Sequence, residues 1–169
     1  FNFVLPNIFN KMSNVLINRQ SGKIKRTAVE KKKAVADIGK QINRDLKDKK
    51  PLFIGVLNGS FIFTADLMKK ITIECDVSFV KLASYSGTSS SGQIKELIGI
   101  NEDVKNRTVV IVEDIVDTGN TIEFIYEKLK QAGAKEVKVA TLLSKAGAYT
   151  KTYNIDYTAI MAASDFLVG

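Results

Sequence analysis

The apolar residues of this chain fall into two kinds of pattern that alternate along the sequence. Short continuous apolar runs indicate strands that are buried on both faces of a sheet. Between them, apolar residues recur at intervals of three and four, which is typical of helices with one buried face. The runs lie at 52–57, 77–82, 109–112, 137–143, 155–160 and 165–169, and the helical repeats at 28–46, 61–71 and 122–132. The alternation predicts an α/β fold with a central, mostly parallel sheet, right-handed crossovers and flanking helices.

The run at 109–112 is followed by the residues with the clearest chemistry. Two adjacent carboxylates, Glu113 and Asp114, stand where the strand is expected to leave the sheet. Ligands of open α/β sheets bind in the crevice outside the carboxyl ends of the parallel strands. The position of the pair therefore predicts that both acids lie at a ligand site.

A short polar loop separates the two acids from the next helical repeat. Backbone N–H groups at a helix start attract anions, and a glycine such as Gly119 lets a phosphate approach the backbone closely. Carboxylates on one side and a phosphate cradle on the other suit a ribose phosphate. The acids would accept hydrogen bonds from its sugar hydroxyls or hold a divalent cation. The predicted phosphate-binding residues are Asp117, Thr118, Gly119, Asn120 and Thr121.

A purely structural interpretation of the same residues stays open at this point. In that interpretation Glu113 and Asp114 merely end a strand, and Asp117 or Thr118 caps the following helix.

A second strand-to-helix turn follows the run at 52–57. Asn58-Gly59 is usually a hairpin signal, but the helical repeat that begins at Phe61 overrules it. The backbone N–H groups of this turn could therefore bind a second anion. The alternative is a plain turn in which Ser60 is the N-cap.

Composition limits the class of protein further. With 169 residues, 45% of them hydrophobic, the chain fits one globular domain. No run approaches the roughly 18 consecutive apolar residues of a membrane span, and no basic leader precedes the N-terminal segment, so we expect a cytoplasmic protein without a membrane partner. Cys75 is the single cysteine and histidine is absent. Acid–base chemistry therefore falls to Asp, Glu, Lys or Tyr.

The formal charge of +7 predicts anionic partners. Nucleic acid is one candidate, supported by the basic clusters at 23–26 and 31–33. These clusters lack interleaved aromatic residues, and the second opens the solvated face of a predicted helix. We therefore expect no nucleic-acid partner, because phosphorylated small molecules account for the same charge.

Residues 109–121 resemble the phosphoribosyl pyrophosphate motif of the type I phosphoribosyltransferases. Segments 57–60 and 84–92, and Lys145 with Phe166, resemble in the same order those of the hypoxanthine (6-oxopurine) phosphoribosyltransferases. The resemblance implies the fold of that family over residues 1–169. It places an N-terminal helix region at 28–50, a core at 51–145, and 146–169 in a small hood formed by the N- and C-terminal segments. The chain departs from the family's pattern at Asn58 (commonly Lys), Ala146 (Pro) and 161–163 (Glu-Ile-Pro).

The resemblance also implies a function, namely purine salvage. The enzyme would transfer the phosphoribosyl group of phosphoribosyl pyrophosphate to hypoxanthine, and to guanine, with Mg²⁺ as cofactor and IMP or GMP as product. Asp117 is then the candidate general base for the purine N7 proton, since no histidine is available. The other implied roles are pyrophosphate binding by Leu57, Asn58 and Gly59, mobile-loop closure by Ser84 and Tyr85, base binding by Lys145, Phe166 and Leu167, and a metal site at Glu113 and Asp114 through ribose hydroxyls or water.

Three further expectations come with the resemblance. The chain is expected to form a dimer or tetramer of identical subunits. A C-terminal tail past Gly169 is expected to supply an Asp that helps hold magnesium and an Arg that meets pyrophosphate. The alternatives are a phosphoribosyltransferase for another base, such as xanthine, and a non-catalytic regulatory protein of the same fold that senses nucleotide or phosphoribosyl pyrophosphate.

Overall fold

The computed structural model describes residues 28–84, 94–145 and 147–162. Helices and strands alternate along most of this part of the chain, as the apolar pattern predicts. The helices are α1 (Ala28–Asp45), α2 (Phe61–Met68) and α3 (Asn120–Gln131). The strands are β1 (Leu52–Leu57), β2 (Asp76–Ser84), β3 (Ile94–Ile98), β4 (Thr108–Val116), β5 (Glu136–Lys145) and β6 (Tyr157–Ala162). The strand predicted at 165–169 lies outside the described residues.

The six strands form one sheet in the order β3-β2-β1-β4-β5-β6. Every neighbouring pair from β2 to β6 is parallel, and only the edge strand β3 is antiparallel, to β2. The predicted mostly parallel sheet is therefore confirmed. The β3 strand is absent from the prediction because its five residues follow a polar loop and form no clear apolar run.

Alternate residues of β4 supply the two faces of the sheet. Val109 and Ile111 belong to a core cluster with α3, whereas Val110 and Val112 belong to a second cluster with α1 and α2. All four side chains are fully buried. A continuous apolar run is what a strand covered by helices on both faces requires. Strand β4, which was predicted to lie centrally, therefore belongs to a sheet that is covered by helices on both faces.

The first and the last described elements, α1 and β6, pack together on the face of the sheet that α1 and α2 cover. Helix α1 packs on α2 and on β6, and Val35, Ile38, Ile42 and Leu46 all face the core. The described part of the segment predicted to belong to the hood contributes β6, the edge strand beside β5. None of the described helices is both long enough and apolar enough to cross a membrane.

Candidate active site

Three of the predicted segments meet at one edge of the sheet. The turn at 58–60 follows β1, the loop at 117–119 follows β4, and Lys145 is the last residue of β5. Because β1, β4 and β5 are parallel neighbours, their carboxyl ends lie side by side. The described chain therefore assembles its candidate residues in the crevice where open α/β sheets bind ligands.

Strand β4 continues further than its apolar run indicates. It pairs with β5 as far as Val116 opposite Ser144, so Glu113 and Asp114 lie inside the strand and not beyond its end. The expectation that the strand leaves the sheet at the two acids was wrong. Ile115 and Val116 carry the ladder past the charged pair, and hydrogen bonding to β5 outweighs the interruption in hydrophobicity. Lys145, expected just past its strand, is likewise the terminal residue of β5.

Glu113 is the most unusual titratable group of the described chain. Its residue is only 8% exposed, and its Oε2 atom has no hydrogen-bond partner within the described residues. The backbone N–H of Asp114 donates to Oε1 at 3.3 Å. Burial, and then the neighbouring carboxyl of Asp114, raise the pKa of Glu113 to about 9. A buried acceptor without a partner is costly, so this oxygen is suited to a ligand that donates to it or is positively charged.

Asp114 joins the acidic pair to the turn after β1. A Cβ atom placed on Gly59 would lie 2.6 Å from the Asp114 Oδ2 atom, so the Asp114 carboxylate would have to shift to admit a side chain there. Asp114 Oδ1 accepts a hydrogen bond of 2.8 Å from the backbone N–H of Ile115. The carboxylate is thereby held against the backbone of the predicted pyrophosphate turn.

The loop after β4 begins helix α3 without a side-chain cap. Gly119 is the N-cap residue, with φ at 88° in the left-handed region, and within the described residues no side-chain cap hydrogen bond is made to the backbone N–H groups of the first turn. The alternative in which Asp117 or Thr118 caps this helix is therefore not supported. A cleft of about 130 Å³ lies here, lined by Glu113 and by residues 115–122. The first-turn N–H groups and the Glu113 carboxyl thus share one small cavity, which suits an anion that also carries hydroxyl groups.

Two candidate residues of opposite charge face each other at this edge. The Nζ atom of Lys145 is 3.9 Å from the Asp117 Oδ1 atom, and the Asp117 side chain is 52% exposed whereas that of Lys145 is 21% exposed. An exposed pair at this separation contributes little to stability. Both groups are therefore open to exchange this contact for a ligand.

The turn after β1 is held by its own backbone and by one serine. The Ser60 hydroxyl donates to the Val56 carbonyl oxygen at 2.7 Å, so Ser60 does not cap α2 through its side chain. The Leu57–Asn58 peptide bond is cis, and Asn58 is exposed. Ser60 is therefore the N-cap residue of α2 by position, as the alternative expects, but its side chain bonds to Val56 and not to the helix.

Several predicted site residues lie outside the described residues, namely Tyr85, Phe166 and Leu167. The backbone of Ser84 ends β2. Within the described residues no group of three or more His, Cys, Asp or Glu side chains could hold a metal ion without help from a ligand. The roles predicted for Ser84, Tyr85, Phe166 and Leu167 therefore stay predictions.

Sequence reasoning missed the segment 147–155, which packs against the loop after β4. Tyr149 and Lys151 are the side chains closest to Gly119. Two tyrosines in an otherwise polar connection were the available signal, but no local pattern indicates that they reach a glycine about thirty residues earlier. Ile115, which lines the cleft beside Glu113, was also missed as a site residue.

The fold and the site define the class of protein once the chain is compared with known proteins. Residues 25–166 match the family described as Phosphoribosyl transferase domain, and the chain belongs to that family. Over 133 residues it is 38% identical to the hypoxanthine-guanine phosphoribosyltransferase of Streptococcus pyogenes serotype M3, covering 78% of this chain and 74% of that one.

Solved structures with the same fold carry related names. The hypoxanthine-guanine phosphoribosyltransferase of Bacillus anthracis superposes with a TM-score of 0.76 at 28% identity and covers 85% of both chains. The hypoxanthine phosphoribosyltransferase of Staphylococcus aureus has a TM-score of 0.78 at 27% identity and covers 85% of this chain and 79% of that one. The predicted phosphoribosyltransferase fold is confirmed.

Proposed function

We propose that this protein is a hypoxanthine-guanine phosphoribosyltransferase of purine salvage. It would transfer the phosphoribosyl group from phosphoribosyl pyrophosphate to hypoxanthine or guanine, releasing pyrophosphate and forming IMP or GMP. The observation that carries the proposal is the placement of Lys145, Asp117 and the Glu113-lined cleft at one sheet edge. The relatives named above support it, and no observation favours a regulatory protein without catalysis.

The phosphoribosyl half of the substrate fits the loop after β4. Its 5-phosphate would accept hydrogen bonds from the backbone N–H groups of residues 119–121 and from the hydroxyls of Thr118 and Thr121. The sugar hydroxyls would then reach Glu113 on the far side of the cleft. The Oε2 atom of Glu113, which has no hydrogen-bond partner within the described residues, supplies the acceptor that this placement needs.

The pyrophosphate half fits the turn after β1. The absence of a side chain at Gly59 leaves room for the Asp114 carboxylate against the turn, and the pyrophosphate would accept hydrogen bonds from the backbone N–H groups of the turn. A Mg²⁺ ion bound with the substrate would neutralise negative charge that develops on the departing pyrophosphate. The oxygen donors of Glu113 and Asp114 fit such an ion, directly or through ribose hydroxyls and water.

The purine would lie between Lys145 and Asp117. Lys145 donates a hydrogen bond from Nζ to the exocyclic oxygen of a 6-oxopurine, and Asp117 accepts the N7 proton as the bond from the ring to ribose C1′ forms and the bond to pyrophosphate breaks. Phe166 would stack on the base, and the backbone of Leu167 would recognise its edge. Ser84 and Tyr85 would close over the reacting centre and exclude water.

Competition among bases tests this proposal. The enzyme is incubated with phosphoribosyl pyrophosphate, Mg²⁺ and equal amounts of hypoxanthine, guanine, xanthine and adenine, and the nucleotides formed are quantified. We expect IMP and GMP to dominate and AMP to be absent, because Lys145 donates to an oxygen that adenine lacks. Formation of AMP alone, or of no nucleotide by a folded protein, would overturn the proposal. The subunit count, for which we expect a dimer or tetramer, is read from light scattering of the same sample.

A further inference from the structure

The connection between β5 and β6 lies across the beginning of helix α3. We call residues 147–155 the strap. The Tyr153 ring stacks on the Tyr126 ring of α3, with ring centroids 4.1 Å apart and planes inclined by 24°. The Tyr153 hydroxyl donates to Glu127 Oε1, one residue further along the helix. The far end of the strap is therefore anchored to the middle of α3.

The near end of the strap contacts the phosphate loop itself. A Cβ atom placed on Gly119 would lie 2.4 Å from Tyr149 Cε2 and 2.9 Å from Lys151 Cγ. The Tyr149 ring therefore rests directly on the glycine that begins α3. The Tyr149 hydroxyl donates to the Tyr153 carbonyl oxygen at 2.7 Å, which ties this ring to the anchored end.

Two polar contacts, made by the residues that follow Tyr149, hold the strap against the loop and the helix. Lys151 Nζ donates to Glu123 Oε2 at 2.6 Å, within the first turn of α3, and the Lys151 side chain is only 19% exposed. The Thr150 hydroxyl lies 3.5 Å from the carbonyl oxygen of Thr118 and donates to it. The strap thus contacts the residue immediately before Gly119 and a residue in the first turn of the helix that follows it.

Tyr149 stands behind the loop and not in the cleft. The cleft is lined by Glu113 and residues 115–122, whereas Tyr149 lines a separate hollow of about 370 Å³ together with Lys145 and Lys151. Gly119 adopts its left-handed φ of 88° between the two. An unsupported glycine has wide conformational freedom, so the tyrosine ring limits the positions from which the loop N–H groups can meet a phosphate.

We propose that Tyr149 is a positioning residue that holds the loop at 117–121 in its anion-binding shape and so sets the affinity for the phosphoribosyl substrate. The inference rests on the proposed function and assigns this role to the strap. It acts through Gly119, because Tyr149 itself does not line the cleft.

The test compares variants that keep or remove the ring. Tyr149→Phe keeps the ring on Gly119 and loses only the hydrogen bond to Tyr153, whereas Tyr149→Ala removes the support. We expect Tyr149→Ala to raise KM for phosphoribosyl pyrophosphate roughly tenfold or more, since small displacements of binding groups are costly. Its KM for hypoxanthine should stay within a factor of two, and Tyr149→Phe should stay close to the wild type in both constants.

Met68→Ala serves as the matched control for lost packing. Met68 is a half-buried side chain that packs on the opposite face of the sheet, against the cluster of α1 and α2. We expect Met68→Ala to lower Tm without changing either KM. If Tyr149→Ala changes both KM values equally, or neither, the ring is merely structural and the inference is wrong.

A second variant keeps the test decisive if Tyr149→Ala does not fold. Lys151→Met removes the ion pair to Glu123 and keeps an aliphatic stem beside Gly119. We expect it to raise KM for phosphoribosyl pyrophosphate severalfold and to leave KM for hypoxanthine unchanged. An unchanged KM for phosphoribosyl pyrophosphate in this variant would overturn the inference.

Binding of phosphoribosyl pyrophosphate, measured by calorimetry, separates failure of this inference from failure of the proposed function. A folded wild-type protein that neither binds phosphoribosyl pyrophosphate nor forms nucleotide contradicts the proposed function. A wild-type protein that does both, together with a Tyr149→Ala variant that binds phosphoribosyl pyrophosphate equally well, contradicts only the role of the strap.

Discussion

Replacing Glu113 with glutamine should make the ligand-free protein more stable while abolishing its activity. The Glu113 carboxyl is 8% exposed, and burial together with the adjacent Asp114 raises its pKa from 4.5 to about 9. Glutamine has nearly the same shape as the protonated acid and carries no charge. The substitution therefore removes the ionisation that folding opposes.

The magnitude follows from the two pKa values. Because the folded pKa is raised, the stability that this group contributes is complete below pH 4.5 and is lost as the pH rises towards about 9. At pH 7 the unfolded chain has released the proton and the folded chain retains it, which costs roughly 3 kcal/mol because the pH lies 2.5 units above the unfolded pKa of 4.5. Glu113→Gln should recover this amount, and Tm should rise by roughly 2–4 °C for each kcal/mol in a chain of this size.

The assay is urea unfolding between pH 5 and pH 9 without ligand or Mg²⁺. We expect the unfolding free energy of the wild type to fall across this range relative to that of Glu113→Gln, so that the difference grows with pH. Nucleotide formation should fall at least a hundredfold in the variant, since the acceptor for ribose or Mg²⁺ is lost. Two pH profiles that run parallel, within about 0.5 kcal/mol, would refute the reasoning.

Glu136→Gln provides a control in which the expected change in stability has the opposite sign. Burial raises the pKa of Glu136, but the hydrogen bond from Lys49 and the charge of Lys138 together outweigh it and hold the pKa below its usual value. The stability that Glu136 contributes is therefore present at neutral pH and lost as the pH falls through its folded pKa. Glu136→Gln should accordingly destabilise the protein at pH 7, where Glu113→Gln stabilises it.

Three further substitutions probe the remaining parts of the site. Gly59→Ala forces a Cβ atom to 2.6 Å from Asp114 Oδ2. We therefore expect the free energy of unfolding in urea to fall by roughly 1–3 kcal/mol and KM for phosphoribosyl pyrophosphate to rise. Unchanged values would contradict the close approach. Gly119→Ala places a side chain at φ 88° and against Tyr149, so Tm should fall by several degrees, and an unaltered melting curve would be the contrary result. Lys145→Met should raise KM for hypoxanthine and spare that for phosphoribosyl pyrophosphate, whereas equal changes in both would argue against base recognition.

The layers of the fold could be predicted because a strand that is buried on both faces of the sheet has a continuous run of apolar residues. The runs at 52–57 and 109–112 are continuous because helices cover both faces of β1 and β4. The same reasoning failed at strand ends. At Glu113 and at Lys145 hydrophobicity stops, but parallel hydrogen bonding continues, and only the pairing of β4 with β5 shows this.

The candidate site was predictable where its residues are adjacent in sequence and not where they are remote. Acids, loop and helix start all lie within 113–121, so one motif brings them together. The contact of Tyr149 with Gly119 depends on the path of the strap, and the contact of Asp114 with Gly59 depends on the pairing of β1 with β4. No local periodicity encodes such contacts, since they arise from the packing of separate elements.

The turnover of hypoxanthine by Asp117→Asn tests the central claim most directly, with Asp66→Asn as its control. Asp66 is an exposed residue of α2 whose ion pair to Lys69 is a surface contact, and its replacement should leave kcat unchanged. If Asp117 takes the N7 proton, Asp117→Asn should lower kcat for IMP formation by roughly 10² or more, with KM for phosphoribosyl pyrophosphate nearly constant. Equal kcat values for the two variants would contradict the account.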